Sequence, residues 1–432
     1  QGLFLQLAAT MGRAYSLHTP LALPTALQRG AATVDHPYRP GPFYLLLPMN
    51  TQAAWLPDFN LDELPEVQPI SLGAADGNYA QAAAWIRDAK QVVIKVGGGG
   101  RNAGPELVKL LEYSGGVLVH TPIASGCVPY SHPQNMGVGG SKGSLPGNYA
   151  MEHADLLIVL GASFNERTSY LWDKKLLAGK KIAQIDRDPA QLGRVFQPDV
   201  AICGDILAAV HAVHGMLADA AMPPKSLAQL SAQRATTASM PPAEPVDDAA
   251  FALVRQFFSR LAERFPRDAL VFDDNIVFAQ SYFDVSSRNH YFPNTGISSL
   301  GHAIPAALGA RCFAPDSPTF AILGDGGFQM CAMEMMTAVN HGIPINVVVI
   351  NNGTLSLIRK NQFQLYGERY IDCDFKNPDF GLLAQSFGVK HYRIEAEADL
   401  DRLFAEADLT GAINLIEILL DKHAFPRYLS AR

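Results

Sequence analysis

The sequence lacks the features that define several special classes of protein. No two of its cysteines form a Cys-x-x-Cys pair, and their number is odd, so neither a disulfide framework nor a zinc site is expected. No apolar run is long enough to span a bilayer. Residues 1–10 lack the basic segment and cleavage site of a signal peptide, so a reducing cytoplasm is the expected location. The five cysteines are Cys127, Cys203, Cys312, Cys331 and Cys373.

An excess of positive charge is also absent. The chain has 34 Lys and Arg against 41 Asp and Glu, a formal net charge of −7. That balance gives no basic surface for nucleic acid or for an anionic membrane. Hydrophobic residues make up 48% and charged residues 17% of the chain, which is typical of a globular α/β protein. A length of 432 residues predicts two or three domains.

Two stretches rich in proline and alanine divide the chain. Residues 57–76 and 222–248 show no sustained apolar periodicity, so we interpret them as linkers. They separate the regions 1–56, 77–221 and 249–432. In the last two regions, short apolar strands alternate with helical segments, which predicts an α/β fold of repeated three-layer α/β/α domains with mostly parallel sheets. Predicted strands include 91–96, 116–120, 156–160, 181–185, 269–272, 319–323, 345–350 and 412–419.

Polar residues follow two of the predicted strands in the region 249–432. Strand 319–323 leads into Gly-Asp-Gly-Gly at 324–327, and strand 345–350 leads into Asn-Asn-Gly-Thr at 351–354. Ligands of open parallel sheets bind beyond the carboxyl ends of the strands, so both clusters are expected at one edge.

These residue types suit a magnesium diphosphate. Mg²⁺ prefers hard oxygen ligands, which the Asp325 carboxylate, the Asn352 side-chain carbonyl and the Thr354 backbone carbonyl offer. Gly324, Gly326 and Gly327 allow the main chain to approach phosphate oxygens at the beginning of a helix. The sequence therefore predicts a metal site at the first three residues and a phosphate site at the glycines.

The motif GDGGFQM, followed by VVVINNGTLSLI, resembles that of the thiamine-diphosphate enzymes of the acetolactate synthase and 2-keto-acid decarboxylase superfamily. The resemblance extends over nearly the whole chain. It implies that Leu300, in NTGISSLGHAIPAALG, supports the cofactor in its V shape. It also implies that the Ser298 carbonyl accepts a hydrogen bond from the pyrimidine amino group. Asn275 falls in the loop on the diphosphate side, where the match is weaker, and Asp273 and Asp274 are interpreted as solvated turn carboxylates.

The region 77–221 resembles the central domain of the same superfamily, which holds FAD or ADP in some members. The run VGGGG at 96–100 lacks the G-x-G-x-x-G spacing with a ribose-binding acid, so FAD is not expected here. After the Asn-Asn element, Arg359, Lys360 and Gln362 are candidates for binding a keto-acid carboxylate. The alternative is that they form a solvated helix face.

Residues 1–56 resemble only the last part of a pyrimidine-binding domain, ending in RPGPFYLLLP. The glutamate that starts the cofactor's chemistry in this superfamily belongs to the part of that domain that the sequence does not show. No catalytic residue is therefore named. Because the chain starts without Met, a processed or truncated polypeptide is the expectation.

The resemblance implies a lyase or transferase that uses thiamine diphosphate and Mg²⁺ as a carboligase or decarboxylase of a 2-keto acid. It also implies a homodimer or homotetramer, since opposite subunits form each active site in the superfamily. Two alternatives stay open: the diphosphate-binding half of an enzyme split over two chains, and a catalytically inactive cofactor-binding or regulatory subunit.

Overall fold

The computed structural model describes most of the three regions. No helix within the described part of the chain combines the length and the apolarity needed to cross a membrane. Most of the two predicted linkers, and Asn275, lie outside the residues that the structure describes. The described residues are 3–36, 39–56, 59–60, 62, 77–140, 143–172, 177–219, 249–274, 282–286, 290–295 and 298–424.

The first region contains a small parallel pair of strands. β1 (Arg13–Ser16) pairs with β2 (Phe43–Leu46), and Arg13 lies opposite Phe43. Arg39, just before β2, contacts the central region, because its Nε lies 3.0 Å from Oδ1 of Asp188. The helices of this region are Phe4–Met11, Pro20–Ala22 (a 3₁₀ turn), Leu23–Val34 and Met49–Gln52.

A six-stranded parallel sheet forms the central region, in the order β5-β4-β3-β6-β7-β8. Successive residues of one strand are buried on opposite faces: Ile94 packs with Leu118, and Val93 packs with Val119. Both faces are therefore covered, as expected for a parallel sheet. The strands are β3 (Val92–Val96), β4 (Val117–His120), β5 (Asn135–Val138), β6 (Leu156–Leu160), β7 (Lys181–Asp186) and β8 (Val200–Cys203). The helices are Gly77–Asp88, Gly98–Gly100, Gly104–Ser114, Pro122–Ala124, Leu145–His153, Arg167–Trp172, Pro189–Gln191 and Ile206–Asp219.

The last region forms a second six-stranded parallel sheet, in the order β10-β9-β11-β12-β14-β13. Phe320 and Val348 belong to the core on one face, and Ala321 and Val349 to the core on the other. The strands are β9 (Leu270–Asp273), β10 (Tyr291–Pro293), β11 (Thr319–Gly324), β12 (Asn346–Asn351), β13 (Lys390–Ile394) and β14 (Asn414–Leu419). The helices are Ala249–Phe251, Ala252–Arg264, Ala303–Phe313, Asp325–Cys331, Glu334–His341, Ser356–Tyr366, Phe380–Phe387 and Glu397–Glu406.

The two large sheets confirm the predicted α/β fold with mostly parallel strands. The buried strands agree with the sequence to within a residue or two, since 319–323 becomes Thr319–Gly324 and 91–96 becomes Val92–Val96. Two helices, Asp325–Cys331 and Glu334–His341, follow β11. The first of these begins directly after β11, which places the Gly-Asp-Gly-Gly sequence at a helix N-terminus.

Candidate functional site

The carboxyl ends of β11 and β12 bring the two polar clusters of the sequence together. The strands are adjacent and parallel, with Gly324 opposite Ile350. The next residues on each strand therefore meet: the backbone N–H of Asn352 donates to Oδ2 of Asp325 at 3.1 Å. This is the contact that the strand pattern predicts, although the two residues are 27 positions apart.

Asp325 is buried, with 1% of its surface exposed, and its carboxylate accepts backbone hydrogen bonds on both oxygens. Oδ1 accepts from Gly326 N at 2.9 Å, and Oδ2 accepts from Gly353 N at 2.6 Å. Burial raises the pKa of Asp325 above its usual value, although hydrogen bonds from Asn377, Gly353, Asn352 and Gly326 act in the opposite direction. A bound cation would favour the charged form of this carboxyl group.

The turn after β12 presents two further oxygens. The Asn352 side chain donates from Nδ2 to Ser356 Oγ at 2.7 Å, and its Oδ1 accepts from Thr354 N at 3.3 Å. Oδ1 can still accept a second partner, because a carbonyl oxygen has two lone pairs. Across the described residues, no backbone N–H donates to the Thr354 carbonyl. Gly353 has a φ of +66°, a conformation that favours glycine.

The glycines at the beginning of the helix form a close-packed cradle. A Cβ on Gly326 would lie 2.7 Å from Leu355 Cδ2, and one on Gly327 would lie less than 3.0 Å from Oδ2 of Asp274. A side chain at either position would have to displace Leu355 or Asp274, and glycine avoids this while it lets the main chain approach a phosphate group closely. The donor set of one carboxylate, one amide and one backbone carbonyl is the hard-oxygen type that Mg²⁺ takes. The residues present fit a magnesium diphosphate.

Leu300 lies beside this cradle, and Ser298 precedes it by two residues in the same loop. The Cβ of Leu300 is 3.8 Å from the position that a Cβ on Gly327 would occupy, and the Leu300 side chain is 39% exposed. Ser298 has a φ of +56°, in the left-handed region. Asn294 holds the same loop by donating from Nδ2 to the Ser299 carbonyl. The roles of Ser298 and Leu300 stay predictions, as does that of Asn275, which lies outside the described residues.

The interpretation of Asp273 and Asp274 as solvated turn carboxylates is wrong. Their exposed fractions are 0% and 1%. Asp274 accepts backbone hydrogen bonds from Gly301 at 2.8 Å and from His302 at 2.9 Å, and Asp273 accepts from the Tyr291 hydroxyl. Burial is compensated by these donors, which a sequence pattern of two acids after a strand does not reveal.

The two basic residues of the helix after the turn at 351–354 do not lie on a solvated face. Arg359 is 3% exposed, pairs with Asp374 Oδ2 at 3.1 Å and lies over the ring of Tyr370 at 3.8 Å. Lys360 is 6% exposed, and burial lowers its pKa to about 8. Gln362 exchanges two hydrogen bonds with the backbone of Ile371. Arg359 and Gln362 thus have partners within the chain.

Sequence reasoning missed Asn377, which joins the site from a distant loop. Its Nδ2 donates to Asp325 Oδ2 at 2.7 Å, over a separation of 52 residues. Asn377 belongs to no strand and no helix, so neither strand order nor helix periodicity indicated it. The sequence pattern also did not indicate Ser356, whose hydroxyl oxygen accepts from the Asn352 side-chain amide.

Two family models match the chain. The central domain of thiamine pyrophosphate enzymes matches residues 79–213, and the C-terminal TPP binding domain of these enzymes matches residues 275–418. The first match covers the central sheet, and the second covers the C-terminal sheet except β9 and the last residue of β14.

The chain is also similar to several curated acetolactate synthases. An acetolactate synthase large subunit of Corynebacterium glutamicum is 31% identical over 89% of this chain and 64% of its own length. A probable acetolactate synthase large subunit of Methanococcus aeolicus is 28% identical over 91% of this chain and 69% of its own length. An acetolactate synthase of Mycobacterium bovis is 31% identical over 83% of this chain and 59% of its own length. The chain thus spans about three fifths to two thirds of the length of these relatives.

Proposed function

By its central and C-terminal domains the chain belongs to the thiamine pyrophosphate enzyme family, and from this we propose that it acts as a Mg²⁺-dependent carboligase or decarboxylase of a 2-keto acid. Carboligation is the preferred reaction, because the relatives named above are acetolactate synthases. Thiamine diphosphate supplies the carbanion-stabilising chemistry when bound. The protein supplies its binding, its orientation and a suitable electrostatic environment.

The cradle at the end of β11 is the observation that supports this proposal most strongly. In it, Asp325, the Asn352 amide oxygen and the Thr354 carbonyl hold Mg²⁺. The main chain at Gly324, Gly326 and Gly327 lies against the diphosphate. Ser298 and Leu300 contact the organic part of the cofactor, and Asn275 lies in the loop on the diphosphate side.

The alternatives differ in what the cradle is for. An inactive cofactor-binding or regulatory subunit has no chemical need for a buried carboxylate, an amide oxygen with a remaining lone pair and two closely packed glycines in one place. The half-enzyme alternative keeps the cradle and assigns the remaining chemistry to another chain. The cradle thus favours an active site, whether formed by one chain or by two.

A homo-oligomer with shared active sites, located in the cytoplasm, is part of the proposal. Large apolar side chains are exposed around the cradle and on the helix that follows it. Exposed apolar surface of this extent is typical of protein interfaces. Among these side chains are Leu300, Met330, Met333, Ile358, Phe363 and Leu365.

Calorimetric titration of the full-length protein with thiamine diphosphate, with and without Mg²⁺, tests the cofactor assignment. We expect Asp325→Ala to weaken Mg²⁺-dependent binding by about 100-fold or more, because the only carboxylate of the proposed ligand set is removed. Asp316→Ala, an exposed position in a turn of the same domain, is the matched control and should bind as the wild type does. Equal Mg²⁺ affinity in both variants would contradict the ligand assignment.

Incubation of the protein with pyruvate, thiamine diphosphate and Mg²⁺ tests the reaction. Carboligation predicts release of CO₂ with formation of acetolactate. Acetaldehyde without acetolactate would instead identify a simple decarboxylase.

A further inference from the structure

Asn377 contacts Asp325, the candidate metal ligand, and both the N–H groups and the oxygen of its side-chain amide are hydrogen-bonded. Its two amide hydrogens go to Asp325 Oδ2 at 2.7 Å and to Asn351 Oδ1 at 2.8 Å, and its Oδ1 accepts from Gln329 Nε2 at 2.6 Å. The opposite orientation of the amide would place an oxygen against the Asp325 carboxylate. The network of donors and acceptors therefore fixes one orientation of Asn377.

Asp325 is hydrogen-bonded unequally at its two oxygens. Oδ2 accepts three N–H groups, from Asn352, Gly353 and Asn377, at 3.1, 2.6 and 2.7 Å. Oδ1 accepts one, from Gly326 at 2.9 Å. Because a carboxylate oxygen has about two lone-pair directions, Oδ2 is saturated and Oδ1 keeps one for a ligand.

The other end of the amide network is anchored in the sheet. Asn351, at the end of β12, donates from Nδ2 to Glu417 Oε1 at 2.6 Å. Glu417 is buried in β14, and its Oε2 lies 3.0 Å from His391 Nε2 on β13. The Asn377 side chain is thus linked through Asn351 of β12 to Glu417 of β14 and His391 of β13.

We propose that Asn377 is a positioning residue of the metal site: together with the N–H groups of Asn352 and Gly353 it holds the Oδ2 side of Asp325 and orients the carboxylate so that Oδ1 is the atom that binds the divalent cation. This inference rests on the proposed function, because it assumes a cation at Asp325. It adds a residue outside the Asp325, Asn352 and Thr354 set, and it assigns each Asp325 oxygen a separate task.

Titration of Mg²⁺ and of Ca²⁺ into the full-length protein, saturated with thiamine diphosphate, tests the proposal on Asn377→Ala. Mg²⁺ demands near-ideal octahedral geometry, whereas Ca²⁺ tolerates varied geometry. We expect Mg²⁺ affinity to fall by about tenfold, the usual effect of losing a hydrogen bond to a charged group, and Ca²⁺ affinity to fall clearly less. Asn340→Ala, at an exposed position on helix Glu334–His341, is the matched control.

Asn377→Asp covers the case in which the alanine variant does not fold, because it keeps the shape of the side chain. Added negative charge alone would strengthen Mg²⁺ binding, whereas loss of the N–H donor predicts weaker binding. A folded variant with wild-type or tighter Mg²⁺ affinity would overturn the proposal, and so would an equal loss for Mg²⁺ and Ca²⁺. Failure of the proposed function looks different, since the wild type itself would then show no Mg²⁺-dependent cofactor binding.

Discussion

The two six-stranded sheets have the same architecture but use their carboxyl edges differently. In the C-terminal sheet the strand ends present Asp274, Asp325 and Asn351. The two aspartates accept from backbone amides, and Asn377 donates to both Asp325 and Asn351. In the central sheet the ends of β3 and β6 present glycines. Gly97 N donates to Leu160 O at 2.9 Å, and Gly99 N donates to Gly161 O at 3.0 Å.

The edge of the central sheet is closed by its own backbone. A Cβ on Gly97 would lie less than 3.0 Å from backbone atoms of Gly161 and Ala162, so the two strand ends are in direct contact. In the C-terminal sheet the glycines face side chains of Asp274 and Leu355 instead. Parallel strands alone do not make a ligand site, because function depends on the residues grafted onto the fold. Variants and pH responses of the two sheets test this difference.

The largest expected effect is that of Gly97→Ala. Backbone atoms cannot move aside as a flexible side chain does, so we expect the free energy of unfolding of the central domain to fall by more than about 3 kcal/mol. Tryptophan fluorescence during chemical denaturation measures this, since the C-terminal region 249–432 contains no tryptophan and Trp85 packs against the central core. Gly215→Ala is the control: it has open space in helix Ile206–Asp219 and should stabilise by about 0.5–1 kcal/mol. A mild effect of Gly97→Ala would contradict a closed edge.

Acid should destabilise the central domain through His120. This side chain is fully buried, and desolvation lowers its pKa from 6.5 to about 4. Between pH 6.5 and pH 4 the imidazole is protonated in the unfolded chain but not in the folded domain. The free energy of unfolding therefore decreases as the pH is lowered, by at most about 3 kcal/mol. His120→Gln should remove this slope, as measured by denaturation between pH 7 and pH 4.

The C-terminal domain should respond at lower pH. There, hydrogen bonds from His391 and Asn351, together with the charge of Arg393, outweigh the desolvation that raises the pKa of Glu417, so that its net pKa lies below 4.5. The stability contributed by this carboxylate is present above pH 4.5 and is lost as the pH falls through the lowered value.

For the central domain, identical acid responses of wild type and His120→Gln would show that His120 is not the group that titrates.

Gly327→Ala should have a smaller effect than Gly97→Ala, because the atom that blocks the new methyl group belongs to the Asp274 side chain. We expect a loss of about 1–2 kcal/mol of stability and about tenfold weaker cofactor binding. Asp274→Ser shortens the blocking group, although it also loses bonds to Gly301 and His302. The double variant should therefore lose less stability than the sum of the two single losses, by at least about 0.5 kcal/mol. Strict additivity would contradict the contact between these residues.

The sequence was sufficient for the parts of the site that the sheet geometry dictates. Long, wholly buried strands such as β11 and β12 are visible as apolar runs, and their adjacency brings Asp325 to Asn352 without further information. The short outer strands were not predicted. β8 alternates buried and exposed residues, and β13 has a single buried residue, Ile394, so neither forms an apolar run. They are recognisable only once the inner strands are in place.

Side-chain contacts over long separations could not be predicted. The bond from Asn377 to Asp325 depends on how a loop without regular structure folds back across 52 residues. The burial of Asp274 depends on the turn at Gly301, which provides two backbone donors 27 and 28 residues away. A polar residue next to a strand end can thus be either exposed to solvent or buried with its hydrogen bonds satisfied, and only the tertiary structure distinguishes the two.

The smallest expected effect compares two residues with nearly the same backbone angle. Gly161 at the central edge has a φ of +57°, and Ser298 beside the candidate cofactor site has a φ of +56°. Ser298→Gly removes a side chain from the left-handed region, which gains about 1 kcal/mol, but glycine loses a similar amount through its freedom in the unfolded chain. We therefore expect a stability change below about 1 kcal/mol, and cofactor affinity within about twofold, because the proposed contact uses the backbone carbonyl. Gly161→Ser should be far more damaging, since the same angle there coincides with backbone contact to Gly99. Equal effects of the two exchanges would mean that the left-handed angle, rather than closure of the edge, limits both positions.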